Sequence, residues 1–138
     1  MHRNEKLIRD AYDAYGRNDI PGVTASWTED TVWHLKGTTS LAGDYKGPEK
    51  ILGLLAENMR ITNGTFKVEV EKVFADDDIG VVVCRSKMTL AGTDFDSLTT
   101  HIHRIVDEKV AESWFLFDDA IAMDAAEAKA LKLVPAQV

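Results

Sequence analysis

The chain has 138 residues, 45% of them hydrophobic and 28% charged, and a formal net charge of −7. That length fits one domain, 1–138, able to bury a core without disulfide or metal, and the composition excludes disorder, collagen or coiled coil as the main architecture. The acidic balance and scattered basic residues speak against nucleic acid, and no apolar run approaches the roughly 18 residues of a membrane span. The polar start MHRNEKLIRDAY carries no signal-peptide pattern, so a cytoplasmic location is expected. One cysteine, Cys84, sits in an apolar run and reads as a small core residue.

From Asn4 to about Arg17, apolar residues recur at helical spacing, with Tyr12 and Tyr15 on the stripe and Asn4 as the expected N-cap. Asp19 is placed to cap a second, short helix with Pro21 in its first turn. TVWHLK, between Asp30 and Lys36, reads as a strand, and the following GTTSLAGDYKG as a loop. Pro48 opens a third helix that runs to about Arg60. Asn63-Gly64 is a turn signal, after which the apolar period changes from helical to two. Strands are expected from Phe66 to Val73, Ile79 to Leu90, Phe95 to Val106 and Lys109 to Phe117, with Asp107-Glu108 as a tight hairpin. Asp118 and Asp119 are placed to cap a closing helix through Lys132, within a C-terminal helical tail spanning 120–138. Three helices with one strand inserted, then a four-strand meander, make an α+β domain: a curved sheet with helices on one face and a pocket between them.

The order of elements, together with NDIPGVTASWTEDTVWHLKG, SLAGDYKGPEKILGLL and HIHRIVDEKVAESWFLFDD, resembles the NTF2-like or ketosteroid-isomerase-like superfamily. More narrowly it resembles the SnoaL-like group, which includes polyketide cyclases. The resemblance runs from about Leu7 to Asp119 and implies a cone-shaped, curved antiparallel sheet with three N-terminal helices enclosing a pocket. It does not carry the familiar catalytic groups across. The tyrosine and two aspartates of ketosteroid isomerases fall on Ala11, His34 and His101. The cyclase aspartate falls on His101 as well. One aspartate of limonene-type epoxide hydrolases falls on Phe115, and only Arg85-Ser86-Lys87 stands near their Arg-x-Asp pair.

Two histidines therefore stand where the family has acids. Strand alternation groups Val32 with His34 and sets Trp33 with Leu35 on the other face. In the resembling fold the His34 face points inward, as do His101, His103, Ser113, Phe115 and Phe117. Histidine titrates near neutrality and serves as general acid or base. His34 and His101 are thus the expected proton-transfer residues, and Tyr15, one turn after Ala11, the expected oxyanion donor. Tyr12, Trp27, Met59, Met88, His103, Phe115 and Phe117 are expected to line the substrate site. His34 with the His101-x-His103 pair raises the question of a metal, but no carboxylate completes such a set, and neither metal nor cofactor is expected. The expected activity is isomerisation, cyclisation or dehydration of an apolar, oxygenated, polyketide- or terpenoid-like small molecule. The alternative is a non-catalytic small-molecule-binding or dimerisation module of the same fold. Trp33, Leu35, Trp114 and Leu116 would leave a large apolar outer face, and the resemblance implies that a second copy covers it in a homodimer.

Overall fold

The structure is a computed structural model and describes residues 1–133; the last five residues of the predicted tail lie outside the described residues. Its elements run α1 (Arg3–Gly16), α2 (Ile20–Thr24), β1 (Val32–Leu35), β2 (Gly43–Lys46), α3 (Pro48–Ile61), β3 (Lys67–Ala75), β4 (Ile79–Leu90), β5 (Thr93–Val106), β6 (Lys109–Phe117) and α4 (Ala120–Leu133). They form one curved, unclosed sheet in the order β2-β1-β6-β5-β4-β3, covered by helices. This is the expected α+β architecture, with two differences. The segment predicted as a loop contains β2, which pairs antiparallel with β1 at the sheet edge. The sheet is also mixed rather than wholly antiparallel, because β1 runs parallel to β6. Turn-forming residues had masked β2: it is four residues long, starts at Gly43 and ends just before Gly47.

The helix ends follow local chemistry. α1 begins two residues earlier than an Asn4 cap would place it, because His2 is its N-cap; its Nδ1 accepts from the Asn4 amide at 3.0 Å. Asn4 is instead buried, and its side-chain amide donates to the carbonyls of Asp76 and Asp77, tying α1 to the β3–β4 turn. Asn18, at φ 58°, takes the left-handed conformation that separates α1 from α2. Asp19 caps α2 as expected, accepting from Gly22 N. Pro48 opens α3 after Gly47, whose φ of 88° suits a residue without a side chain.

Gly22 also allows α2 to approach α1. A Cβ there would lie 2.7 Å from the Ala14 Cβ and 2.6 Å from Asp19 Oδ2, and Ala14 is buried with no flexible end to move away. Gly22→Ala should therefore cost about 1–3 kcal/mol of stability. A urea midpoint equal to wild type would show that the two helices have slack.

Two apolar clusters flank the centre of the cone. Ile8 from α1 packs with Val73, Val82, Cys84 and Ile105 of the sheet. Met123, Ala126 and Ala130 of α4 pack with Ile61, Met88 and Leu90. α4 is pinned to the loop before β2 by Asp124, which accepts from Thr38, and by Glu127, which accepts from the Thr39 hydroxyl. Burial holds the Glu127 carboxyl above the usual range.

Candidate functional site

Pairing with β6 decides which residues of β1 face inward. Trp33 stands opposite Ser113 and His34 opposite Trp114. Ser113 is fully buried on the helix-covered face, so Trp33 and Leu35 face inward and His34 faces outward. The expected orientation of β1 was thus reversed. β1 has only four residues, all of intermediate burial, so its own pattern carries no alternation signal. Its face follows from its parallel neighbour, which sequence spacing does not reveal.

The cone encloses a cavity of about 150 Å³. Trp27, Trp33, Phe66, Phe115 and Phe117 form aromatic walls, with aliphatic residues of α1 and α3 opposite. The Trp33 ring contacts Phe115 at 4.6 Å between centroids and meets Trp27 edge-on at 5.6 Å. Three residues of this wall carry a polar atom that is buried without a hydrogen-bond partner: Tyr15 Oη, Ser26 Oγ and Trp33 Nε1. Buried polar atoms are normally partnered, and each left alone costs about 1–3 kcal/mol. Burial raises the Tyr15 phenol, which stays protonated as a donor.

A second polar feature is fully satisfied. Tyr12 Oη lies 2.5 Å from His101 Nδ1 and 2.8 Å from His103 Nε2. His103 Nδ1 is 2.6 Å from Ser113 Oγ, and His101 Nε2 is 3.8 Å from Cys84 Sγ. Tyr12, His101, His103 and Ser113 all line the cavity. Desolvation pushes His101 down to about 3, helped by His103, and His103 down to about 4, so both rings are neutral at physiological pH. Burial raises the Tyr12 phenol well above its ordinary value and the Cys84 thiol to about 11. No member of this chain carries charge. A base that weak is poorly matched to removing a proton at pH 7.

His34 has the opposite character. Its Nδ1 donates to Asp44 at 2.7 Å, its Nε2 donates to Glu112 at 2.8 Å, and its ring stacks on Trp114 at 5.2 Å. Two carboxylate acceptors require both ring nitrogens to carry hydrogen, so the ring is an imidazolium, and its pKa is raised, chiefly by the bonds to Asp44 and Glu112. Arg104 and His34 together lower Glu112. His34 is a clamp between β2 and β6, outside the pocket.

Of the expected site residues, the cavity gathers Tyr12, Tyr15, Trp27, His101, His103, Phe115 and Phe117. Met59 is instead 39% exposed on α3, and Met88 is buried in the α4 cluster; neither lines the cavity. Met88 does alternate inward with Ser86, but it lies one step further along β4, under α4. Trp33, Ser26 and Asn58 line the cavity and were not anticipated; correct orientation of β1 would have found Trp33. Among the described residues, no group of three His, Cys, Asp or Glu side chains is arranged to hold a metal ion, and no helix is long and apolar enough to cross a membrane.

Comparison with known proteins agrees with this geometry. An uncharacterised protein of Mycobacterium tuberculosis is 28% identical over 91 residues, covering 65% of this chain and 70% of its own. Bal32a, from a soil-derived mobile gene cassette, is 27% identical with a TM-score of 0.82, covering 88% of this chain and 94% of that one. An NTF2-like protein of Burkholderia pseudomallei superposes with a TM-score of 0.73 at 20% identity, over 99% of this chain and all of its own. IdmH of Streptomyces antibioticus, a proposed polyketide cyclase, has a TM-score of 0.71 at 19% identity, over 91% and 98% of the two chains. The SnoaL-like domain model matches residues 8–113, a span from α1 into β6 that holds most of the cavity-lining residues, and the chain therefore belongs to the SnoaL-like family, with the NTF2-like fold.

Proposed function

We propose that the cone takes up a small, uncharged, mostly apolar molecule bearing a carbonyl or ether oxygen, and promotes its isomerisation or cyclisation through hydrogen-bond donors. The observation that carries this reading is a mostly apolar cavity whose wall includes Tyr15, Ser26 and Trp33, each with a buried polar atom (Oη, Oγ and Nε1) that no protein group partners. An indole N–H only donates, so whatever meets Trp33 must accept. The cavity wall has no ionised side chain to offset a ligand charge, which favours a neutral ligand. A cavity of about 150 Å³ suits one ring or a compact bicycle, which favours terpenoid-sized molecules over long polyketides. Donors held in a water-poor site stabilise the negative charge that develops on a carbonyl oxygen during enolisation or ring closure. The fold relationship to IdmH is in keeping with such chemistry.

The test is an NMR titration with a monocyclic terpenoid ketone and its parent hydrocarbon, followed by mass spectrometry for an isomeric product. The ketone should bind about tenfold more tightly than the hydrocarbon, and Tyr15→Phe or Trp33→Phe should each remove most of that preference. Equal binding of the two compounds would refute the role of the donors. Binding without any product would favour a carrier over an enzyme.

The outer sheet face supports a homodimer, now with different residues than expected, since Trp33 and Leu35 face inward. A row of cross-strand partners, Phe74, Val81, Ile102 and Trp114, runs across four strands, with Leu98 and Leu116 alongside. Phe74 and Leu116 are more than half exposed. The face also carries Lys87–Glu69, Arg85–Glu71 and Arg104–Glu112 pairs, each already neutralised within the chain. Light scattering should give twice 15.3 kDa, and Trp114→Glu should give the monomer. A monomeric wild type at micromolar concentration would rule the dimer out.

A further inference from the structure

Helix α3 turns one stripe of side chains toward the interior. Ile51 and Leu54 are buried on it, Ile61 and Thr62 close it, and Leu54 and Leu55 line the cavity. Asn58 lies one turn after Leu54 and one turn before Thr62, so it stands on the same stripe, and it lines the cavity too. A leucine would complete the apolar pattern there. Asparagine is a poorer helix former and sets a carboxamide among aromatic and aliphatic walls. A polar residue that breaks such a stripe with no structural gain marks a functional position.

Nothing in the fold uses that carboxamide. Among the described residues Asn58 Oδ1 and Nδ2 make no hydrogen bond, and neither is enclosed by protein, unlike the polar atoms of Tyr15, Ser26 and Trp33. Asn58 is half-buried. Ser86 and Ser113, also on the wall, are sealed within the protein, and Tyr12, His101 and His103 are engaged with one another. The Trp27 N–H is open as well, but the ring packs against Trp33, and that accounts for its presence. The main chain beneath Asn58 is fixed. Its carbonyl accepts from the Thr62 amide at 3.2 Å and from the Thr62 hydroxyl at 2.7 Å. A rigid helical turn therefore holds a free donor and a free acceptor at the cavity.

We propose that Asn58 is a specificity-determining residue whose carboxamide binds two neighbouring polar atoms of the ligand, one accepting and one donating. Nδ2 donates to a ligand carbonyl, and Oδ1 accepts from a hydroxyl on the next carbon. The planar amide offers both side by side, and exchanging its O and N only turns the ligand over. This rests on the small-molecule pocket proposed above and narrows its ligand to an uncharged ring compound with a carbonyl and a hydroxyl on adjacent carbons, such as an enolised diketone. An ether of the same ring has no hydrogen to give and leaves Oδ1 facing a methyl group, away from water, which is the source of the discrimination.

Three probes titrated into the full chain at pH 7 and followed by NMR test this: 2-hydroxy-3-methylcyclopent-2-enone, its methyl ether, and methylcyclopentene. The hydroxy enone should bind about tenfold more tightly than the ether. Asn58→Leu and Asn58→Ala should each abolish that ratio, and Asn58→Leu should bind the hydrocarbon at least as tightly as wild type does. The urea midpoint of Asn58→Ala should not fall, because the carboxamide holds nothing in the fold and alanine is the better helix former. A ratio near one in the wild type, a ratio that survives either variant, or a lowered midpoint in Asn58→Ala overturns the role of Asn58. If the hydrocarbon binds and the ratio is one, the pocket reading stands without Asn58. Failure of all three probes to bind overturns the pocket reading and this inference with it.

Discussion

Tyr12→Phe should lower the unfolding free energy by about 2–4 kcal/mol, read from urea denaturation at pH 7. Phenylalanine fills the same space, so no cavity forms. The loss is the hydroxyl, whose removal strands His101 Nδ1 and His103 Nε2 together in a dry interior. Each stranded group costs about 1–3 kcal/mol, and against a typical total of about 5–15 that is a large fraction. Tyr15→Phe is the matched control. It lies one turn along the same helix, but its hydroxyl has no protein partner to lose and is a cost to the empty fold, so its stability should equal or exceed wild type, by up to about 1–3 kcal/mol. Equal costs for the two changes would mean that the Tyr12 bonds contribute nothing net. The pair also separates roles: the Tyr12 hydroxyl supports the fold, whereas no protein group uses that of Tyr15.

That contrast between two tyrosines on one helix marks how far the sequence could be read. Helical spacing put both on the stripe of α1 and pointed them at the sheet. Spacing says nothing about which partner waits there, and that depends on His101 and His103 arriving from β5. The long strands were legible because β4 and β5 alternate over 12 and 14 residues, so His101 and His103 were oriented correctly, and hairpin pairing with β5 carries Phe115 and Phe117 to the same face. The short ones were not. β1 and β2 have four residues each; the parallel contact with β6 sets the facing of β1, and β2 follows β1. One register step there exchanged Trp33 for His34 and moved the supposed base out of the pocket. The family alignment pointed the same wrong way, because it matched His34 to a catalytic position without testing its side-chain direction. Ser26 lies on a connection where no periodicity operates; Asn58 follows Leu54 by one turn of α3, but a polar residue on that stripe gives no core signal.

The inner and outer histidines give the protein opposing responses to pH. His101 and His103 are held neutral in the native state, down to about 3 and about 4, whereas the unfolded chain protonates them near 6.5. Between those values the unfolded state binds more protons, so stability is greatest above about pH 6.5 and falls as the pH drops. With both rings withholding a proton, the slope is roughly 3 kcal/mol per pH unit, enough to unfold a domain of ordinary stability by about pH 4–5. His34 works the other way. Its pKa is raised in the folded state, so its contribution is complete below about 6.5 and is lost as the pH rises through the raised value. The predicted profile has its maximum near neutrality, with a steep acid limb and a shallow alkaline one, since His34 sits at the surface where solvent screens its pairs. Urea midpoints from pH 4.5 to 9 measure it. His101→Gln combined with His103→Gln should lower the midpoint at pH 7 but flatten the limb between pH 6.5 and 4.5, because glutamine has no proton to take up. His34→Gln should flatten the alkaline limb alone. The lowered carboxylates Asp76, Glu112 and Asp124 steepen only the acid end of the limb, and Glu127, raised by burial, opposes it; all four remain in the double glutamine variant, so its difference from wild type reports the inner histidines. An acid limb that persists unchanged in the double glutamine variant would show that the inner histidines already share charge with solvent, and that the pocket is wetter than its apolar walls imply.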